Sequence, residues 1–301
     1  MAYTKLASRL TPGAKVEEIA PDDAYLLSIA AGAANQYRLA QLDDYAKLQR
    51  SHFPLRFPLS VNLSARTSSD SIPGTWGFGL WNDPFGLSLG LGGNSLRLPT
   101  LPNAVWFFGA SKESYLSFKE PRPERTLNEQ SKMKQETKRT LQLKFPFEGQ
   151  DLGTNRASTA DVATNAPPSA QREVAANGFL TQVFRSPRFH PSLIAAGLAF
   201  PFSRKKTRQL LGTVIEEDGI ALRVDVTQWH RYRLDWREKR VTFEVDDVQV
   251  FESNVSPNPP LGLVIWIDNQ YAAFTPEGKI GFGVLENSEP AWLEIKDIEL
   301  T

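Results

Sequence analysis

Leu261 to Leu300 reads LGLVIWIDNQYAAFTPEGKIGFGVLENSEPAWLEIKDIEL and holds three runs of alternating character. In the first, Leu263, Ile265 and Ile267 alternate with Val264, Trp266 and Asp268. A period of two marks a strand with two different faces. Trp266 and Asp268 therefore share a face, and Asn269, Gln270 and Tyr271 follow at its end. In Lys279 to Leu285, Ile280, Phe282 and Val284 are interleaved mostly with glycines. In Ala291 to Leu300, Trp292, Glu294, Lys296 and Ile298 alternate with Leu293, Ile295, Asp297 and Glu299. This is the pattern of an all-β chain.

The same pattern extends towards the N-terminus. Val241 to Asp246 and Val248 to Glu252 read as a hairpin across Asp246-Asp247, with Asp standing where Gly is favoured. His230 to Trp236, Ile220 to Val226, Gly178 to Ser186 and Asn103 to Ser111 read as strands, as do Leu59 to Thr67, Tyr37 to Leu42 and Ala24 to Ile29. Residues 1–22 form an arm or an edge segment. Thr75 to Asn82, TWGFGLWN, is a strand whose glycines mark a bend or a close approach to the backbone. Asp43-Asp44-Tyr45 reads as a solvated turn.

Two stretches break the strand pattern. Residues 119–177 are polar, charged first and then rich in Ser, Thr, Ala, Asn and Pro, which is the composition of a flexible insertion. Neither flank holds enough strands to close a sandwich alone, so 1–301 is expected to be one domain interrupted by a loop. Residues 189–215 predict one or two short helices, the second capped by Ser203. Arg188, Arg204, Lys205, Lys206 and Arg208 lie in or beside an apolar run. Such a segment packs on the sandwich, lies on an anionic membrane through 189–211, or covers a ligand site.

Composition narrows the function classes. The 301 residues are 41% hydrophobic with zero formal net charge, which argues against a general nucleic-acid binder. No cysteine is present, so disulfides, thiolate metal sites and a cysteine nucleophile are excluded. His52, His190 and His230 are too far apart for a zinc pattern, and Gly90-Leu91-Gly92-Gly93 lacks the Lys of a phosphate-binding loop. The N-terminus shows no apolar signal core and no run is long enough to cross a membrane, so a soluble cytoplasmic protein is expected.

Thr227 to Phe251, TQWHRYRLDWREKRVTFEVDDVQVF, resembles the W-H-x-Y-x-x-x-W … x-F-x-V-D-G hairpin of the concanavalin A-like lectin/glucanase superfamily, in particular family 16 glycoside hydrolases. Trp292 to Leu300 is similar to the closing strand of those sandwiches, and Leu261 to Ile267 to a strand of their concave sheet. The resemblance implies a jelly-roll β-sandwich, a carbohydrate ligand and a structural calcium for which no ligands stand out. Family 16 hydrolysis requires a Glu-x-Asp-x-x-Glu strand, with two carboxyl groups about 5 Å apart for a retaining reaction. Glu244-Val245-Asp246-Asp247-Val248-Gln249 ends in Gln and lies on the hairpin, and Thr75 to Asn82 and Asn103 to Ser111 hold no carboxylate. The catalytic residues are therefore not carried over.

The candidate ligand residues are Trp81, Asn82, Trp106, Trp266, Asp268, Asn269 and Tyr271. Indole faces bind the C–H face of a sugar, and Asp and Asn bind its hydroxyl edges. The three tryptophans serve equally well as core, and the polar group after Ile267 as a turn. Two readings follow. A carbohydrate-binding, glycosidase-like sandwich predicts an open groove lined by exposed Trp. A non-hydrolytic, cyclase- or isomerase-like enzyme for a small apolar substrate predicts an enclosed pocket and a shifted Asp268, with Asp268 or Tyr271 as acid/base and the 179–215 segment as a lid. Docking on a membrane through 189–211 is a third reading.

Overall fold

The computed structural model describes residues 6–20, 24–84, 100–118, 177–187, 204–275 and 280–301. Its strands are β1 (Ala7–Leu10), β2 (Ala14–Ala20), β3 (Ala24–Ile29), β4 (Leu39–Asp43), β5 (Leu59–Thr67), β6 (Thr75–Trp81), β7 (Ala104–Ala110) and β8 (Gly178–Arg185). After one helix, α1 (Arg204–Val214), come β9 (Glu216–Ala221), β10 (His230–Arg237), β11 (Arg240–Val245), β12 (Val248–Ser253), β13 (Gly262–Asp268), β14 (Gln270–Phe274), β15 (Ile280–Val284) and β16 (Ala291–Leu300).

Fourteen of these strands form two seven-stranded sheets. Sheet I runs β1-β4-β13-β6-β7-β8-β9, and sheet II runs β12-β11-β10-β5-β16-β3-β2. Every pairing is antiparallel, and β14 and β15 form a separate ribbon. The two antiparallel sheets enclose one core between them, the β-sandwich that the hairpin resemblance implies. Alternation fills the space between the sheets. Leu263, Ile265 and Ile267 of β13 and Trp76, Phe78 and Leu80 of β6 face Val61, Leu63 and Ala65 of β5 and Leu293 and Ile295 of β16. Aromatic edges lock this layer, with the Phe107 ring centroid 5.0 Å from Tyr232 and 5.2 Å from Phe243.

The sheets are stitched at their rims. Residues 1–22 include both edges on one side: β1 borders sheet I, β2 borders sheet II, and a turn with Gly13 at φ 82° joins them. At the opposite rim, Ser253 of β12 donates a 2.7 Å hydrogen bond to Asp218 of β9.

Several boundaries differ from the sequence reading. The strand expected at Ile220 to Val226 begins earlier, at Glu216, and ends at Ala221. Gln270–Phe274 is a strand rather than a turn. Asp43 is fully buried, so the acidic pair is no solvated turn. The expected second helix is α1. The insertion at 119–177 and the first expected helix lie outside the described residues, apart from Asn177. Arg208, one of the cations expected to face lipid, is buried and donates to the Ser117 carbonyl. Among the described residues no helix is long and apolar enough to cross a membrane.

Candidate functional site

Strand register lays out the outer face of sheet I, turned away from the core, in rows. Asp268 of β13 lies between Leu39 of β4 and Thr75 of β6. In the next row Trp266 lies between Gln41 and Gly77, with Phe108 of β7 beyond. Val264 then lies between Asp43 and Gly79, followed by Trp106 and Gln182. The last row runs Gly262, Trp81, Ala104, Phe184 and Glu217. Four of the candidate residues, Trp81, Trp106, Trp266 and Asp268, are thus gathered on one face.

The close approach signalled by the glycines is made first by the backbone of β7, with the Phe107 carbonyl 2.5 Å from a Cβ at Gly77 and the Val105 carbonyl 2.4 Å from one at Gly79, and then by tryptophan side chains. A Cβ at Gly77 would fall 2.9 Å from the Trp266 ring, and one at Gly79 would fall 2.7 Å from the Trp106 Cβ. The Trp81 and Trp266 rings are parallel within 3°, with centroids 6.3 Å apart. Trp106 tilts against both, at 5.9 Å from Trp81 and 5.6 Å from Trp266.

This face is not an open groove. Trp106 and Trp266 are 6% and 8% exposed, and Trp81 is half-buried. They belong to a second apolar cluster with Tyr45, Phe53, Leu180, Phe184 and Ile215, against which Phe118, Leu211 and Val214 pack. An open groove of exposed tryptophans is the part of the carbohydrate reading that the structure overturns. The physical reason is that a sheet face this apolar is stabilised by a cover of its own chain.

Asp268 is buried among donors. Its Oδ1 accepts the Thr75 hydroxyl at 2.8 Å and the Thr75 and Gln270 amides at 3.2 Å, and its Oδ2 accepts the Tyr37 hydroxyl at 3.1 Å. The Trp266 indole N–H donates to the Thr75 hydroxyl at 3.0 Å, tying the aromatic cluster to the carboxyl. Burial pushes Asp268 up to about 6, against the lowering pull of its hydrogen bonds from Thr75, Gln270 and Tyr37. Burial, with the Asp268 charge adding, raises the Tyr37 phenol well above its ordinary value.

A second polar group, missed in the sequence, lies beside the tryptophans. Gln41 donates to Asp43 at 2.8 Å and to the Tyr45 hydroxyl at 3.3 Å, and the Trp81 indole N–H also donates to Tyr45. Burial pushes Asp44 up to about 7; the Leu263 amide opposes this, and the Asp43 charge adds to it. Leu39, Gln41 and Asp43 share the outer face of β4, so carrying the alternation one step past Leu42 would have found Asp43. Tyr37 and Thr75 carried no sequence signal, because only the packing of β13 between β4 and β6 brings them to Asp268.

The remaining candidates are structural or peripheral. Asn82 receives the Asn103 amide at 3.0 Å and donates to the Leu101 carbonyl at 2.9 Å, closing the ends of β6 and β7. Asn269 is fully buried, receives the Arg38 amide at 2.8 Å, and donates to the Gln36 and Leu285 carbonyls. Tyr271 leaves the face on the ribbon, where its ring packs on Gly281 and Gly283. Among the described residues no group of three or more carboxylates or histidines is placed to hold a metal ion.

No family model and no curated protein matches the sequence. Solved structures similar to the chain include LamAcat from Zobellia galactanivorans, at 12% identity and TM-score 0.42, with 99% of this chain and 90% of that one covered. The family 16 endo-glucanase of Bacteroides ovatus aligns at 10% identity and TM-score 0.40, over 96% and 85%. The β-glucanase of Bacillus licheniformis aligns at 7% identity and TM-score 0.40, over 97% and 93%.

Proposed function

We propose that the protein binds carbohydrate on the outer face of sheet I and does not hydrolyse it. The observation that carries this reading is Trp81, which alone of the three clustered indoles is half-buried rather than buried, and which is held parallel to Trp266 and tied through its N–H to the Tyr45 hydroxyl. Aromatic faces beside carboxylates, amides and hydroxyls suit a ring with apolar faces and polar edges. Among the described residues, Asp43, Asp268 and Glu217 stand too far apart to work as a hydrolytic pair with one another. Asp43 is opposite Val264, four residues from Asp268 along β13, which separates their rows by roughly 13 Å. Glu217 is four strands from β13, roughly 19 Å across the sheet. Glycoside hydrolysis places its two carboxyl groups about 5 Å apart, or up to about 9.5 Å for inversion.

The test is a thermal-shift and calorimetric titration with neutral gluco-oligosaccharides, on wild type and on Trp81→Ala. The expected result is stabilisation of wild type, affinity weakened by roughly tenfold or more in the variant, and no release of reducing ends. Silence towards every glycan, with stabilisation by an apolar metabolite, would overturn the reading.

One observation favours a second reading, an enzyme with an enclosed site. A carboxyl held near 6 and hydrogen-bonded to a phenol is suited to exchanging a proton near neutral pH. In that case Asp268→Asn would abolish turnover of an apolar substrate while leaving its binding in place.

A further inference from the structure

We infer that Arg38 and Asn287 hold a small monovalent anion, of halide size, between them. Arg38 is 4% exposed, and its side chain, just before β4, runs past Gly13 and Gly32. A Cβ at Gly13 would lie 3.4 Å from the Arg38 Nε, and one at Gly32 would fall 2.0 Å from its Nη2. Nη1 donates to the Ala33 and Gln36 carbonyls, both at 3.3 Å. Among the described residues no carboxylate is paired with this guanidinium. The buried Asp268 carboxyl is committed to Thr75, Gln270 and Tyr37. Asn287, between β15 and β16, is 1% exposed, and neither its Oδ1 nor its Nδ2 has a hydrogen-bond partner among the described residues.

The backbone brings these two side chains together. Gly32 and Asn287 exchange both of their amide-to-carbonyl hydrogen bonds, at 2.8 and 3.0 Å, as a directly opposed antiparallel pair. Side chains of such a pair leave on the same side, with Cβ atoms roughly 5 Å apart. At Gly32 the place of the side chain is taken by the Arg38 guanidinium. The Asn287 amide therefore stands beside that cation and makes no bond to it. A buried charge without a counter-charge and a buried amide without partners are each costly. One anion offsets both, accepting from Nη2 and from Nδ2, which the broad last torsion of Asn can aim at it. A water molecule would satisfy the amide but leave the charge uncompensated. The burial of both side chains restricts the ligand to an ion of one or a few atoms. Such an ion would tie the β1–β2 turn at Gly13 to the loops before β4 and before β16. It would also brace Asn269, whose Oδ1 accepts the Arg38 amide.

The experiment is thermal unfolding of the full chain as sodium methanesulfonate is exchanged for sodium chloride or bromide at constant ionic strength. Wild type should melt higher in halide, by about 2 °C or more, and Arg38→Met should lose that dependence. Asn287→Asp sets a carboxylate beside the guanidinium in the role of the ion. It should melt at or above wild type in halide-free buffer and no longer respond to halide. Because it keeps the size of the side chain, Asn287→Asp carries the test alone should Arg38→Met fold poorly. Crystals grown in bromide should show an anomalous peak between the Arg38 guanidinium and the Asn287 amide. A wild-type melting temperature indifferent to halide, or density at that place without anomalous signal, would overturn the anion. So would an Asn287→Asp chain that melts below wild type in halide-free buffer, or one that still responds to halide.

Discussion

Asp268 shows most directly how one residue's surroundings set its chemistry. Its native carboxyl holds a proton up to about pH 6, whereas an unfolded one releases it near the ordinary 3.8. The native state therefore binds more protons between those values, and stability falls as pH rises through that window. The shift corresponds to a loss on the order of 3 kcal/mol by neutral pH. Asp44, held up to about 7, adds a slope of the same sign. Melting temperatures measured from about pH 4 to pH 8 should thus decline for wild type and decline less for Asp268→Asn; an unchanged slope would show that Asp268 titrates as a free carboxyl. Legibility at this scale was uneven. Trp266 and Asp268 were placed on one face by alternation alone, and they are there. Asp43 was misread because the composition of a turn and that of a strand end are alike, and only the pairing of Asp43 opposite Val264 shows that it is covered.

At the scale of the element, strand interiors were legible and their irregularities were not. The last strand was read as strict alternation, which puts Ile298 with Trp292 and Glu294. Instead Asp297 adopts φ 56°, the register against β5 slips between Lys296 and Glu299, and Ile298 turns into the core at 5% exposure. A bulge of this kind adds one residue and swaps the faces beyond it, and no periodicity count contains it. Glycines in β6 signal a close approach, and the groups that approach first are the backbone carbonyls of Phe107 and Val105 in β7. Gly79→Ala places a methyl 2.4 Å from the Val105 carbonyl at φ +153°. It should cost about 3 kcal/mol or more, read as a lowered urea midpoint. The β11–β12 turn carries both central residues left-handed, Asp246 at φ 50° and Asp247 at φ 64°. Asp246 holds its place through a 2.6 Å contact with His230 and the Arg231 amide at 2.9 Å. Asp247 forms an exposed ion pair with Arg231, worth at most about 1 kcal/mol. Asp247→Gly should therefore be neutral or stabilise by roughly 0.5 kcal/mol, while Asp246→Gly should destabilise.

At the scale of the whole molecule, the sandwich was legible because two faces of different polarity can be satisfied only by packing sheets together. The second apolar cluster was not, because its cover comes from loops and from α1, whose short apolar stretches have no period to read. Strand order was equally hidden, since it depends on contacts between distant parts of the chain. A chain cut after Pro290 loses β16, which pairs with both β3 and β5 in the middle of sheet II. It should show neither a cooperative melt nor dispersed amide resonances, and a folded product would refute the central role of that strand. The place of the late strands has a consequence for biosynthesis. β13 lies between β4 and β6, and β16 between β3 and β5, so each sheet keeps a vacancy inside it until β13 or β16 has been translated. While the ribosome works, the early strands wait with bare edges on both sides of each gap, open to pairing with a neighbouring nascent chain. Yield in a cell should then depend on how quickly the chain is finished and on chaperones that shelter those edges, more than on the stability of the completed fold.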